Sequence, residues 1–211
     1  MILSVSAMRR GAGLALAAAT VFLGAAPGLA AENRDAWQQP DRVVADLGLK
    51  PGQAVADVGA GRGYFTFRLA AAVGEKGKVF ATDIDAKALA AVKAQAGKDN
   101  VRNVETIVGE PTDTKLAPDS VDAALICDVL HHVPQADRPA LVKNVAAAIK
   151  PGGFLFIVDW RVNAEISHDR DRRIPLENLV KLATDAGLTL DAEFLYLKNQ
   201  VFLRFRRPPQ P

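Results

Sequence analysis

Cysteine is almost missing from this sequence. Cys127 is the one thiol in 211 residues, so no internal disulfide can form, and no thiol stands in the first thirty residues to carry a lipid. Aromatic residues make up 6% of the chain and histidine occurs three times, so each ring that falls within a motif is worth following. No stretch repeats at a fixed period and none is compositionally simple, which removes solenoid and fibrous architectures. An excess of charge of either sign is missing as well. Residues 1–30 carry no acid, and with Arg9 and Arg10 set aside, 24 basic residues stand against 24 acidic ones. A balanced domain is poorly suited to non-specific nucleic-acid binding, which works by phosphate neutralisation.

What the chain does hold is a globular balance of 49% hydrophobic and 24% charged residues. Its length suits one well-buried domain of roughly 180 residues once a leader is removed. That leader is expected at residues 1–30. Arg9-Arg10 precede the uncharged run GAGLALAAATVFLGAAPGLA, and Gly28-Leu29-Ala30 has the small-x-Ala spacing that a signal peptidase needs. The run is nearly long enough for a membrane anchor, but its Ala and Gly content is weakly apolar and Pro27 interrupts it. By position the paired arginines resemble the signal for export of folded proteins, although Gly11-Ala12-Gly13 stand where that signal has a bulky pair. The expectation is an exported, periplasmic protein with no stable membrane association after cleavage at Ala30.

Beyond the leader, strand and helix patterns alternate. Residues 31–50 read as an N-terminal helical segment or lid, and 51–207 as the main domain. Val55–Val58 is a short apolar strand running into glycines, and Tyr64–Val73 follows with helical spacing. VFATDID at 79–85 is strand-like, and Ala86–Lys98 places Leu89, Val92 and Ala96 on one helical face. Further strands are expected in VETIVGE (104–110), VDAALICDVL (121–130) and GFLFIVDW (153–160), with a helix over 135–149 stopped by Lys150-Pro151-Gly152-Gly153. After a helix from Pro175 to Ala186, LDAEFLYL and QVFLRFRR face each other across Lys198-Asn199 as an antiparallel hairpin. The order predicts an α/β fold: a doubly wound, Rossmann-like, seven-stranded sheet, mostly parallel with a C-terminal antiparallel hairpin.

Several motifs, in order from Trp37 to about Phe205, resemble those of the class I S-adenosylmethionine-dependent methyltransferases. VADVGAGRGYF is similar to their acid-x-Gly-x-Gly-x-Gly loop after the first strand, and VFATDID to the acid at the tip of the second. VDAALICDVLHHV and IKPGGFLFIVDW resemble the fourth-strand motif and the turn into the fifth. WQQPDRVVADLGLKPG and the double histidine resemble a bacterial subgroup whose members often carry leaders. The resemblance implies S-adenosylmethionine as cofactor. A dinucleotide fingerprint needs Gly-x-Gly-x-x-Gly, whereas here Gly63 comes one place early and Tyr64 stands where that pattern wants glycine.

The expected cofactor residues are Asp57, Gly59, Ala60, Gly61, Gly63, Tyr64, Asp83, Ile84, Glu110 and Asp128. Asp57 would meet the cofactor's amino group or cap loop amides, and the glycines would let backbone approach a ribose and an amino-acid tail. Asp83 or Asp85 would take the ribose hydroxyls, with Asp85 otherwise the N-cap of the next helix, and Ile84 would pack on the adenine. Glu110 or Asp113 would accept from the adenine amino group. Asp128 would hold the methionine end or a substrate hydroxyl, or else cap a helix. His131 or His132 is the candidate general base, against packing and solvation as their ordinary uses. Trp37, Asp159 and Trp160 are the candidate acceptor-pocket residues, with Trp37 as a lid or an anchor. No metal is expected, since Asp128 and Asp159 supply too few oxygens for a hard cation.

The partner expected is a small-molecule methyl acceptor, with transfer to an O, N or C atom. The absence of an Asn-Pro-Pro-Tyr-type motif after the fourth strand argues against nucleic-acid amino methylation. The alternative is an exported, catalytically silent domain that binds S-adenosylmethionine, S-adenosylhomocysteine or another adenosine compound.

Overall fold

The computed structural model describes residues 34–165 and 170–209, so the leader expected at 1–30 and the start of the segment expected at 31–50 lie outside the described residues. Two short helices come first, α1 (Arg34–Gln38) and α2 (Pro40–Asp46). Gln39 separates them with a left-handed φ of 48° and ψ of 54°. Proline disfavours the helical region in the residue before it and is itself at ease in a first helical turn, so the break falls at Gln39 and α2 starts at Pro40.

The domain then runs β1 (Ala54–Val58), α3 (Thr66–Val73), β2 (Lys78–Asp83), α4 (Ala86–Lys98), β3 (Val104–Val108), β4 (Val121–Cys127), α5 (Arg138–Ala148), β5 (Ile149–Trp160), α6 (Leu176–Asp185), β6 (Thr189–Glu193) and β7 (Gln200–Arg206). They form one seven-stranded sheet in the order β3-β2-β1-β4-β5-β7-β6. The first five strands pair in parallel, and β7 lies antiparallel between β5 and β6.

Both faces of the sheet are covered, which explains why the central strands read as unbroken apolar runs. Successive side chains point to opposite faces. Ala56, Val58, Ala124, Ile126, Leu155 and Ile157 join Leu141, Val145 and Leu179 of α5 and α6. Val55, Ala123, Leu125, Phe156 and Val158 join Val43, Leu69 and Val73 of α2 and α3. Each large side chain so buried contributes about 1.5–3 kcal/mol over its exposed state.

Several boundaries differ from the sequence reading. The helix expected from Tyr64 begins at Thr66, because the left-handed residues of the preceding loop lead into a turn through Phe65. The helix expected over 135–149 begins at Arg138, after a turn that follows Pro134. Lys150-Pro151-Gly152-Gly153 does not simply end α5. Ile149 already pairs with Val121 and Phe154 with Ala123, so the motif bulges out of a strand that has begun, with Gly152 at φ 82°. The hairpin connection is residues 194–199 and not Lys198-Asn199 alone, because Leu197 is drawn into the core beside Phe202.

Candidate functional site

In this strand order the chain leaves β1 toward β2 and β3, then returns to β4 on the other side. The crevice beyond the carboxyl ends of β1 and β4 is the place where such sheets take ligands. A cavity of about 410 Å³ opens there, walled by Gly59 after β1, Asp83 at the end of β2 and Ile84 after it, Glu110 after β3, and Asp128 and His132 after β4.

The loop after β1 is held by the protein itself. The Gly59 and Ala60 amides donate to the Thr82 carbonyl, the Gly61 amide to Asp83 Oδ2 at 2.7 Å and the Gly63 amide to the Ala60 carbonyl. A pyrophosphate site needs such amides open toward the ligand. These four are spent, and buried Asp57 stands beside the start of α3 where a phosphate would have to come. The loop therefore leaves none of these four amides for a pyrophosphate. Gly59 and Gly63 are required by their own neighbours: an added Cβ would lie 2.3 Å from Val129 Cγ2 at Gly59 and 2.8 Å from Phe67 Cε2 at Gly63. Gly61 has open space instead, so its φ of 53° is the demand there. Ala60, expected among the cofactor residues, packs its methyl inward with Ala81, Leu89 and Val92.

Asp57 accepts the Thr66 hydroxyl at 2.6 Å. Burial pushes its carboxyl up to about 6, with Thr66 and Arg34 pulling the other way. Asp83 takes Gly61 N and, at 2.9 Å, Asp85 N, which leaves each oxygen a further lone pair for a hydroxyl. Asp85 caps α4 through Lys87 N and Ala88 N, so the choice between the two acids falls on Asp83 for the cavity. Ile84 is 64% exposed at the rim, an apolar surface free for a flat ring. Glu110 reaches the cavity and pairs with Lys115 at 2.8 Å. Asp113 is spent on Lys115 and Asn144, and Lys115 holds its carboxyl below the usual range.

Asp128 does not cap a helix, because α5 starts at Arg138. It has a left-handed φ of 58°, and its carboxylate takes Arg34 Nη2 at 2.9 Å, Gln38 Nε2 at 2.8 Å and Gln200 Nε2. Burial pushes this carboxyl up, opposed by Gln38 and Arg34. Tyr64 donates its hydroxyl to Asp35 and carries the Arg34 guanidinium 3.9 Å above its ring, and burial raises the phenol. Arg34 and Gln200 have no signal in the sequence, since a lone polar residue in a short helix or at a strand start carries no periodicity, whereas Gln38 falls within the WQQP motif.

The two histidines separate. His132 is exposed and lines the cavity, whereas His131 is buried with Nδ1 2.7 Å from Asp159 Oδ1. The rings stay in contact, with centroids 4.0 Å apart. His131 is thus corrected as a candidate base. Asp159 is corrected as an acceptor-pocket residue: fully buried, it takes the amides of His131 and Trp160 as well as the His131 ring. Trp160 is buried against Trp37, ring centroids 5.0 Å apart, so only Trp37 of this pair has substantial exposed surface.

Residues 55–153 match the family model described as a methyltransferase domain. The demethylmenaquinone methyltransferase of Bacillus mycoides (strain KBAB4) is 31% identical over 122 residues, 58% of this chain and 50% of that protein. That of Bacillus cereus (strain AH187) is 30% identical over the same length. The chain thus spans about half the length of these curated relatives. Among solved structures, a SAM-dependent methyltransferase from Aquifex aeolicus superposes with a TM-score of 0.77 at 24% identity, covering 83% of this chain and 93% of that one. A possible sarcosine dimethylglycine methyltransferase from Galdieria sulphuraria gives 0.68 at 15% identity, covering 83% and 88%.

Proposed function

We propose that this chain, whose residues 55–153 match a methyltransferase-domain model and whose sheet has the class I fold, transfers a methyl group from S-adenosylmethionine to an O, N or C atom of a small molecule. The observation that carries this reading is the cavity at the β1 and β4 ends, whose glycine-rich loop has spent its amides internally while carboxylates and an exposed isoleucine face the ligand. That donor set suits a cationic adenosine compound. Asp83 would take the ribose hydroxyls, Ile84 the adenine face, Glu110 the adenine edge, and Asp57 and Asp128 the positive end.

S-adenosylmethionine supplies a methyl group on a sulfonium, already activated for displacement, so the protein's task is mainly to hold the acceptor in line with it. His132, which lines the cavity, would receive a proton from an acceptor O–H or N–H. Asp159 serves it from below, binding the His131 ring and backbone and so fixing the loop after β4. The expected result of incubating the purified chain with methyl-labelled cofactor and a set of phenols, quinols and amines is label in at least one acceptor, with His132→Gln slowing transfer to acceptors that must lose a proton. Cofactor binding with no label in any acceptor would contradict the reading.

A further inference from the structure

Arg34 sits against Asp128, one wall of the proposed cofactor site. Its guanidinium lies between the Asp128 carboxylate, at 2.9 Å, and the Tyr64 ring, at 3.9 Å, and its charge also acts on Asp57 and Cys127 at the ends of β1 and β4. A carboxylate and an aromatic face together recognise a cation. Tyr64 belongs to the glycine-rich loop and Asp128 to the cavity wall, so this seat lies where a cationic ligand would be met. The segment that carries Arg34 is held by side chains: Asp35 to Tyr64 and Arg68, and Gln38 to Asp128 and Gln200. It is joined to the rest by left-handed Gln39 followed by Pro40.

We infer that Arg34 is an internal competitor: its guanidinium fills the seat needed by the positively charged amino-acid end of the cofactor, and α1 swings out about Gln39-Pro40 when the cofactor enters. This rests on the methyltransferase reading above. A protein whose binding-competent form is only partly populated shows an affinity reduced by that fraction. Removing the competing charge therefore strengthens binding. An arginine that clasped the cofactor's carboxylate would have the opposite sign.

Trp37 and Trp160 are the two tryptophans of the chain and touch one another, so emission reports any movement of α1. The test titrates the full chain and its Arg34→Ala and Arg34→Gln variants with S-adenosylmethionine, by calorimetry and by tryptophan fluorescence, with circular dichroism to confirm that each variant is folded. Expected are a change of emission on binding to the unaltered chain, a smaller change in both variants, and affinities about three- to tenfold tighter in both. Equal or weaker binding by the folded variants would overturn the inference while leaving the cofactor reading intact. No binding by any of the three chains would overturn the cofactor reading, and this inference with it.

Discussion

Asp57 shows how much one residue carries. It is a buried carboxyl raised from an ordinary 3.8 to about 6, and a shift of that size costs the empty protein roughly 3 kcal/mol at neutral pH. The folded-state value lies above the unfolded one, so the native state binds the extra proton. Its stabilising effect is complete below pH 4 and is lost as pH rises through about 6. Asp57→Asn is therefore expected to stabilise the ligand-free chain at pH 7.5 and to lose that advantage by pH 4, as measured by urea unfolding at both pH values. A pH-independent difference would refute this origin. Among residues, the loop glycines and Asp83 were legible because their spacing serves only a few geometries. Which of two adjacent histidines faces the cavity was not, since that depends on the Asp159 carboxylate 28 positions away.

At the scale of elements, α4 fell at its expected bounds because Asp85 caps it and a regular apolar face runs through it. The start of β5 did not, because pairing with β4 resumes on the far side of a bulge that the Lys-Pro-Gly-Gly motif disguises as a turn. The loop from Asp128 to Asp137 is an element of a different sort, tied to β5 through Asp159 as well as through the Asp128 amide. Asp159→Ala would leave the His131 ring, the His131 amide and the Trp160 amide without their acceptor. A loss of about 3–5 kcal/mol is expected by chemical denaturation. Asp159→Asn should lose less, since its amide oxygen still accepts. A change below about 1 kcal/mol in the alanine variant would show that the loop is held otherwise.

For the whole molecule, the sheet and its two covered faces were readable from strand length, periodicity and motif order, and the class I fold follows from them. The polar set over the cavity was not readable, because Arg34, Asp128 and Gln200 meet only when α1, β4 and β7 are brought to the same edge. The central claim is that this edge holds an adenosyl sulfonium and not a dinucleotide. Calorimetric titration of the full chain with S-adenosylmethionine and, separately, with NAD tests it most directly. Saturable heat with S-adenosylmethionine and none with NAD is expected; tight NAD binding with no response to S-adenosylmethionine would contradict it.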